Sequence, residues 1–206
     1  MRIKTELAGV FVFDDDIALY PAHDKAMQQL ISPHQNERPQ GVGVDLIVLH
    51  AISLPPGQFE SKYIEKLFMG SLDCTAHTAF ESLNGLKVSA HFVVDRGGRI
   101  TQFVGCDQRA WHAGLSEWRG RSGCNDFAVG IEMIGDEERE FTPAQYRETA
   151  RLCRVLMQRY PAIDRNRIVG HQDIAPGRKW DPGKQWQWDR FYRSLQRIRN
   201  LDLNLL

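Results

Sequence analysis

Two apolar runs of strand length constrain the fold of this chain more than any other feature. The first covers residues 45–52, DLIVLHAI, and the second covers residues 127–134, FAVGIEMI. Both are rich in β-branched side chains and lack the polar alternation of a half-exposed strand, so each is predicted to be a strand buried on both faces. Strand and helix patterns alternate around them, which predicts an α/β fold: a single domain with a central mixed β-sheet flanked by helices.

Three segments carry helical patterns. Apolar residues recur at helical spacing over 63–68, and a last helix is predicted over about 188–199. The clearest start is Thr142-Pro143-Ala144-Gln145, which supplies an N-cap hydroxyl, a proline at the first helical position and a glutamine at the capping-box position. Pro161 is predicted to end that helix.

Shorter strands are predicted in two places. Residues 88–95 and 99–104 flank Arg96-Gly97-Gly98, a connection that allows positive φ and favours a hairpin. Residues 167–170 form a short apolar run that leads into His171.

Composition excludes several classes of function. The 26 basic and 26 acidic side chains cancel and the pI is about 7.1, so a general polyanion binder is excluded and neither nucleic acid nor a membrane is expected as a partner. The four cysteines form no CxxC pair and are predicted to be free thiols. The apolar run over 8–13 is too short for a secretory signal and is followed by three aspartates, so the expected location is the cytoplasm.

The segment from His171 to Gly183, HQDIAPGRKWDPG, concentrates the chemistry of the chain. It contains an imidazole, a carboxylate ten residues later and a lysine two residues before that carboxylate. Two prolines and two glycines interrupt it, which predicts an ordered loop through which no helix or strand runs.

A zinc site is one interpretation of His50, His171 and Asp181. His50 lies near the end of a buried strand, and the other two residues lie at the ends of the loop. Two imidazoles and one carboxylate are a recurrent ligand set for a catalytic zinc that keeps a fourth position open. The alternatives are that both histidines are structural and that Asp-Pro-Gly is only a turn.

Glu132 and Lys179 have two interpretations each. A carboxylate between Ile131 and Met133 is costly to bury, so Glu132 is either a general base or the partner of an arginine, unless its position is half-exposed. Lys179 is either a solvated side chain or a source of positive charge for an oxyanion.

Several motifs together resemble one family, the zinc-dependent N-acetylmuramoyl-L-alanine amidases, and within it the AmpD type that cleaves 1,6-anhydromuropeptides. They occur in one order with similar gaps over about residues 31–195, which makes the resemblance highly specific. The motifs are His50 with Leu54-Pro55-Pro56-Gly57, Val88-Ser89-Ala90-His91, Arg109-Ala110-Trp111-His112-Ala113-Gly114, Cys124-Asn125-Asp126-Phe127, Gly130-Ile131-Glu132, Gly170-His171, Ile174-Ala175-Pro176, and Arg178-Lys179 with Asp181-Pro182-Gly183.

The resemblance implies a role for each candidate residue. It makes His50, His171 and Asp181 the ligands of Zn²⁺, and Glu132 and Lys179 the catalytic pair. It implies a zinc amidase domain over residues 31–200, with a mixed sheet flanked by helices, and a small-molecule muropeptide as the substrate. Residues 1–30 are interpreted as an N-terminal arm of unknown role. His91 and the pair Trp111-His112 match family motifs without an implied chemical role and are interpreted as packing or groove-lining residues.

Three departures from the AmpD pattern concern the substrate. Ala51 replaces an asparagine, Lys87 an arginine, and Gly123 an arginine, at positions that help to hold the muropeptide in the family. An arginine-to-lysine change loses bidentate grip on a carboxylate. Two alternatives therefore stay open: an amidase acting on intact peptidoglycan, and a non-catalytic peptidoglycan-binding module. The sequence does not indicate the oligomeric state.

Overall fold

A computed structural model describes residues 27–59 and 62–198, and the chain is mixed α/β over these ranges. Three short 3₁₀ segments, at residues 78–83, 124–126 and 165–167, join the longer elements. In chain order the strands and α-helices are β1 (Gln28–Gln29), β2 (Gln35–Glu37), β3 (Leu46–Ile52), α1 (Tyr63–Phe68), β4 (Phe92–Val94), β5 (Ile100–Gln102), β6 (Gln108–Ala110), β7 (Glu117–Trp118), β8 (Arg121–Ser122), β9 (Ala128–Ile134), α2 (Pro143–Arg159), β10 (Ile168–Gly170), α3 (His171–Ile174) and α4 (Trp188–Arg197).

The main sheet has six strands in the order β1-β5-β4-β9-β3-β10. Only β4 and β5 pair antiparallel, and every other neighbouring pair in this sheet is parallel. The pairs β2–β6 and β7–β8 form two small antiparallel sheets. The predicted mixed sheet is confirmed, and the two apolar runs are its long central strands β3 and β9.

The two faces of the sheet are covered differently. Ile47 and Leu49 of β3 face α2 and α4 and belong to the largest apolar cluster. Because side chains alternate along a strand, Leu46, Val48 and His50 point to the opposite face. That face is covered by α1 and by loops, in two separate apolar clusters. His50 and Glu132 lie on this loop-covered face.

Helix α2 starts as its sequence predicts. Thr142 accepts a hydrogen bond from the backbone N–H of Gln145 at 3.1 Å, and the Gln145 side chain accepts one from the backbone N–H of Thr142 at 3.1 Å. The buried Gln145 amide also donates to the carbonyl oxygens of Val94 and Ile134, at 3.3 and 2.9 Å. The capping glutamine therefore joins the helix to the ends of β4 and β9.

Several predicted boundaries change in the structure. The hairpin strands are shorter than 88–95 and 99–104, since residues 88–91 are irregular. The loop that starts at His171 begins with the four-residue helix α3, so the prediction that no helix enters it is wrong at its first four residues. The prolines and glycines all follow that turn. Pro176 is the first of them, and it comes two residues after α3 ends.

The proposed arm lies mostly outside the described residues, which begin at 27. Gln28 and Gln29, at the end of the range 1–30, form edge strand β1 beside β5. The last predicted helix ends at Arg197, and residue 199 lies outside the described range.

Two expectations from composition can be compared with the structure. All four cysteines are free thiols, and three of them are buried. No helix within residues 27–59 and 62–198 has the length and apolar character needed to cross a membrane.

We expect Gln145→Ala to lower the free energy of unfolding by about 2–4 kcal/mol, because it removes half of the capping box and the buried amide that donates to the carbonyl oxygens of Val94 and Ile134. Gln158→Ala, an exposed position on the same helix, is the matched control and should change stability by less than about 0.5 kcal/mol. Denaturant unfolding of the three proteins measures both values. Equal losses for the two variants would contradict a joining role for Gln145.

Candidate active site

Strand pairing brings His50 next to Glu132. Strands β3 and β9 are seven residues long and pair in parallel, and their register places His50 directly opposite Glu132. Paired residues in neighbouring strands project to the same face, so the imidazole and the carboxylate share the loop-covered face near the carboxyl ends of the strands. This is the end of a parallel sheet at which ligands usually bind.

His171 and Asp181 reach the same point from the neighbouring strand. β10 pairs with β3, and His171 follows its last residue as the first residue of α3. The backbone N–H of Gln172 donates to the Asp181 carbonyl oxygen at 2.9 Å, which closes the loop onto the start of the helix. The nine residues between the two predicted ligands are thereby folded back, and the two side chains meet.

Three donor atoms converge at the centre of the site. His50 Nδ1 lies 2.9 Å from His171 Nδ1 and 3.1 Å from Asp181 Oδ2, and His171 Nδ1 lies 3.0 Å from the same oxygen. All three residues are buried and form a group that could hold a metal ion. Ligands at the usual zinc distances of about 2.0–2.1 Å occupy the corners of a tetrahedron with edges of about 3.3–3.4 Å. The observed triangle is only a few tenths of an ångström smaller.

The protonation of His171 supports a cation at this point. Its Nε2 lies 3.1 Å from the carbonyl oxygen of Ala113, which can only accept, so Nε2 carries a hydrogen. A neutral His171 then has a lone pair on Nδ1, and that lone pair faces a carboxylate oxygen. Two acceptors at 3.0 Å repel each other unless a proton or a metal ion lies between them. The donor set therefore fits a metal ion.

Burial sets the charges of these groups. It lowers the pKa of His50 to about 4, against a smaller opposing effect of the close contact with Asp181. For Asp181, burial alone would raise the pKa, but the close contacts with His171 and His50 outweigh it and hold the pKa well below its usual range. Near neutral pH the site thus presents a neutral His50 and an ionised Asp181. These are the protonation states that metal ligands require.

Glu132 is buried and keeps one oxygen free. It is 9% exposed, and its Oε2 has no hydrogen-bond partner among the described residues. Burial, followed by the negative charge of Asp181, raises its pKa well above the usual range, while Lys179 acts in the opposite direction. The ion pair with an arginine and the half-exposed position considered from the sequence are both absent in the part of the chain that the structure describes. A carboxyl group of this kind, poised in a buried site, is suited to accept a proton.

Lys179 is exposed at the rim of the site. Its backbone N–H donates to the Ala175 carbonyl oxygen at 3.0 Å, and its positive charge lowers the pKa of both Glu132 and His50. Next to it, Arg178 donates to the carbonyl oxygens of Ala113, at 2.6 Å, and Leu115. The structure thus brings the five predicted residues together, with three as a compact donor set and two beside it.

A cavity of about 500 Å³ opens on the same sheet face beside Glu132. Val93, which pairs with Glu132, and Ile134 belong to its wall. Its lining carries three basic side chains, Lys62, Arg96 and Arg99, and two acidic ones, Glu65 and Asp95. Open space lined by charged groups of both signs therefore lies on the same sheet face as Glu132.

The three positions that differ from the AmpD pattern, 51, 87 and 123, lie in different environments. The Ala51 side chain packs against the helix-side cluster, on the face opposite His50. Lys87 is exposed, and Gly123 has a φ of 74°, a conformation that disfavours residues with a side chain. The change at position 51 is therefore remote from the donor set.

Sequence reasoning assigned no chemical role to His112 and did not single out Asn125. His112 Nδ1 lies 2.9 Å from His50 Nε2, and the Asn125 side chain binds the backbone of residues 112 and 113. Both residues lie in motifs that the sequence analysis listed, Arg109–Gly114 and Cys124–Phe127. Neither motif, however, indicates which atoms its side chains contact in the folded protein.

Comparisons with known proteins agree on one family. The family model described as N-acetylmuramoyl-L-alanine amidase matches residues 39–184. The chain is 47% identical over 169 residues to 1,6-anhydro-N-acetylmuramyl-L-alanine amidase AmpD of Haemophilus influenzae, which covers 82% of this chain and 92% of the relative.

Two solved structures extend this comparison. A crystal structure of a selenomethionine derivative of AmpD superimposes with a TM-score of 0.80 at 45% identity, over 82% of this chain and 94% of that one. The amidase AmiD from Escherichia coli, in complex with the substrate anhydro-N-acetylmuramic acid-L-Ala-D-γ-Glu-L-Lys, gives a TM-score of 0.55 at 26% identity, over 77% of this chain and 60% of that one.

We expect Glu132→Gln to stabilise the metal-free protein. Since the pKa of Glu132 is raised in the folded state, its ionised form costs stability once the pH exceeds about 4.5, the value for an unperturbed glutamate. With chelator present, the variant should be about 1–3 kcal/mol more stable than the parent at pH 8, because a buried unsatisfied polar group costs about that much. The difference should shrink as the pH falls towards 4.5. Denaturant unfolding at several pH values measures it.

Glu81→Gln serves as the control, because Glu81 is exposed. It should leave stability unchanged at every pH. A pH-independent difference between Glu132→Gln and the parent protein would show that the carboxylate is not the source of the cost.

Proposed function

Because the chain belongs to the N-acetylmuramoyl-L-alanine amidase family, we propose that it hydrolyses the amide bond between the lactyl group of N-acetylmuramic acid, in its 1,6-anhydro form, and the L-alanine of muropeptides. As a member of this family the protein is an amidase, and its place is in peptidoglycan recycling. The observation that carries the proposal is the donor set His50, His171 and Asp181 with the free oxygen of Glu132 beside it.

The proposed cofactor is Zn²⁺, held by His50 Nδ1, His171 Nδ1 and Asp181 Oδ2. Two imidazoles and one carboxylate, all buried, match the ligand chemistry of a catalytic zinc with an open position. When bound, zinc supplies Lewis acidity, which makes water more acidic and a carbonyl group more electrophilic.

Glu132 is proposed to move the proton. Its free Oε2 accepts a proton from the water that adds to the amide carbonyl carbon, and the same carboxyl group then gives the proton to the nitrogen of L-alanine as the carbon–nitrogen bond breaks. The products are the carboxylic acid of the lactyl group and the free amine of L-alanine, which near neutral pH exchange a proton to become a carboxylate and an ammonium group. The raised pKa of Glu132 fits the second step, because it makes the protonated carboxyl group available near neutral pH.

Lys179 is proposed to stabilise the negative charge that develops on the carbonyl oxygen. Its charge already acts on Glu132 and His50, and its exposure leaves the ammonium group free to face a substrate at the rim. Pre-positioned positive charge of this kind lowers the barrier to amide hydrolysis.

The anhydromuropeptide is favoured as the substrate over intact peptidoglycan. The AmpD relative from Haemophilus influenzae is named for the 1,6-anhydro substrate, and the chain covers 92% of its length. Lys87 and Gly123 are the changes that bear on substrate preference, since Ala51 faces away from the site.

A cytoplasmic location is part of the proposal. The four free cysteines, three of them buried, fit a reducing compartment.

We expect Glu132→Gln to lower kcat by about 100-fold to 10,000-fold and Lys179→Ala by about 100-fold to 1,000-fold, with zinc content unchanged. Lys184→Ala, an exposed lysine five residues along the same segment, is the matched control and should keep full activity. Steady-state kinetics with metal analysis of each sample measures these effects. Full turnover in either active-site variant would remove that residue from the mechanism.

We expect the purified protein to release the free stem peptide from a defined anhydromuropeptide, and chelator to abolish the reaction until zinc is restored. Mass analysis of the products identifies the bond that is cut. Purified sacculi, tested in parallel, should be cleaved much more slowly. Faster cleavage of sacculi would favour the intact-wall amidase, and binding without cleavage by a zinc-free protein would favour the non-catalytic module.

A further inference from the structure

Two adjacent residues contact the outer nitrogens of both histidines in the donor set. His112 Nδ1 lies 2.9 Å from His50 Nε2, and the Ala113 carbonyl oxygen lies 3.1 Å from His171 Nε2. We propose that residues 112 and 113, held in place by Asn125, are a positioning unit that fixes the orientation and the tautomer of both zinc-binding histidines. This inference rests on the zinc site of the proposed function.

The Asn125 side chain fixes the backbone of both residues. Its Oδ1 accepts from the backbone N–H of His112 at 3.0 Å and from that of Ala113 at 2.8 Å. The backbone carbonyl oxygen of Asn125 in turn accepts a hydrogen bond from the Arg38 guanidinium at 3.1 Å. Arg38 also donates to the carbonyl oxygens of Asp126 and Ala128, each at 2.9 Å. One amide oxygen therefore sets the position of both outer contacts and is tied to the start of β9.

Gly130 provides the space for the His112 ring. A Cβ atom at position 130 would lie 2.5 Å from His112 Cγ and 2.7 Å from His112 Nδ1. Gly130 is not among the residues with positive φ, so its backbone accepts alanine, and the three atoms nearest to the added Cβ all belong to the His112 imidazole. Strand β9 thus carries Glu132 and, two residues earlier, the gap that lets His112 approach His50.

The contacts determine which nitrogen each ligand presents. When His50 donates its Nε2 hydrogen to His112 Nδ1, its lone pair lies on Nδ1, the atom that faces the donor set. His171 is fixed in the same tautomer by Ala113. His112 then carries its own hydrogen on Nε2, a buried nitrogen with no partner among the described residues. Outer contacts of this kind orient the ligand ring and strengthen it as a donor.

The zinc dissociation constant tests the positioning unit directly, because it does not depend on turnover. We expect Asn125→Ala and His112→Leu to weaken zinc binding by about 10-fold to 100-fold in competition with a chromophoric chelator. His112→Asn should recover much of the loss, because its amide oxygen can replace Nδ1 as the acceptor. A residue that only fills space would give the reverse order, with leucine at least as good as asparagine.

Gly130→Ala supplies a second, independent test. Alone it should weaken zinc binding by displacing His112, and in the His112→Leu background it should cost little more, so that the two changes are strongly non-additive. Asn166→Ala, an exposed asparagine, is the control and should bind zinc as the parent protein does. Unfolding of each metal-free variant separates lost positioning from lost folding. If Asn125→Ala does not fold, Asn125→Asp keeps the acceptor oxygen and should bind zinc more tightly than Asn125→Leu.

The outcomes separate this inference from the proposed function. A parent protein without appreciable zinc affinity would overturn the zinc site itself. A parent protein that binds zinc tightly, together with folded Asn125→Ala and His112→Leu variants of equal affinity, would overturn the positioning unit and leave the zinc amidase intact. Additive effects of Gly130→Ala and His112→Leu would equally overturn the role given to His112.

Discussion

The parallel pairing of β3 and β9 is the constraint on which the site depends. Its register places His50 opposite Glu132, and the two-residue period of a strand sends both side chains to the loop-covered face. A slip of one residue would move one of them to the helix-side core, where neither a metal ligand nor a proton acceptor could act. The apolar residues that alternate with these two, such as Leu49 and Ile131, make that slip costly because they are buried against the helices.

The sequence predicted the parts of this structure that are determined locally. The buried central strands, the capping box of α2 and the mixed sheet follow from hydrophobic pattern and capping chemistry, and the structure confirms them. The candidate site residues came from composition, spacing and a family resemblance, and the structure brings them together. The positions of His112 and Asn125 could not be predicted, because they depend on contacts between segments far apart in the chain. The short strands β1 and β2 were not predicted for a related reason. They are defined by pairing with distant segments of the chain and not by a local sequence pattern.

Stability and chemistry conflict at this site. Glu132 is buried with a free oxygen and His50 is held neutral by burial, and each of these is a cost that the fold carries near neutral pH. The surrounding structure offsets such costs through wholly satisfied groups, of which the Gln145 amide and the Arg38 guanidinium are the clearest. The cost at Glu132 is of the kind expected where a ligand binds, because the ligand can supply the missing partner.

In the proposed zinc site, the donor set would also couple metal capture to the completion of folding. His50 is separated from His171 by 121 residues and from Asp181 by 131, so no local segment holds all three ligands. The loop that closes between them is long, and the contact forms only after β10 has docked beside β3. A chain that has not finished folding therefore presents no complete site to a metal ion. In a purified sample, the ratio of bound metal to protein would accordingly not exceed the fraction of molecules that have reached the native topology.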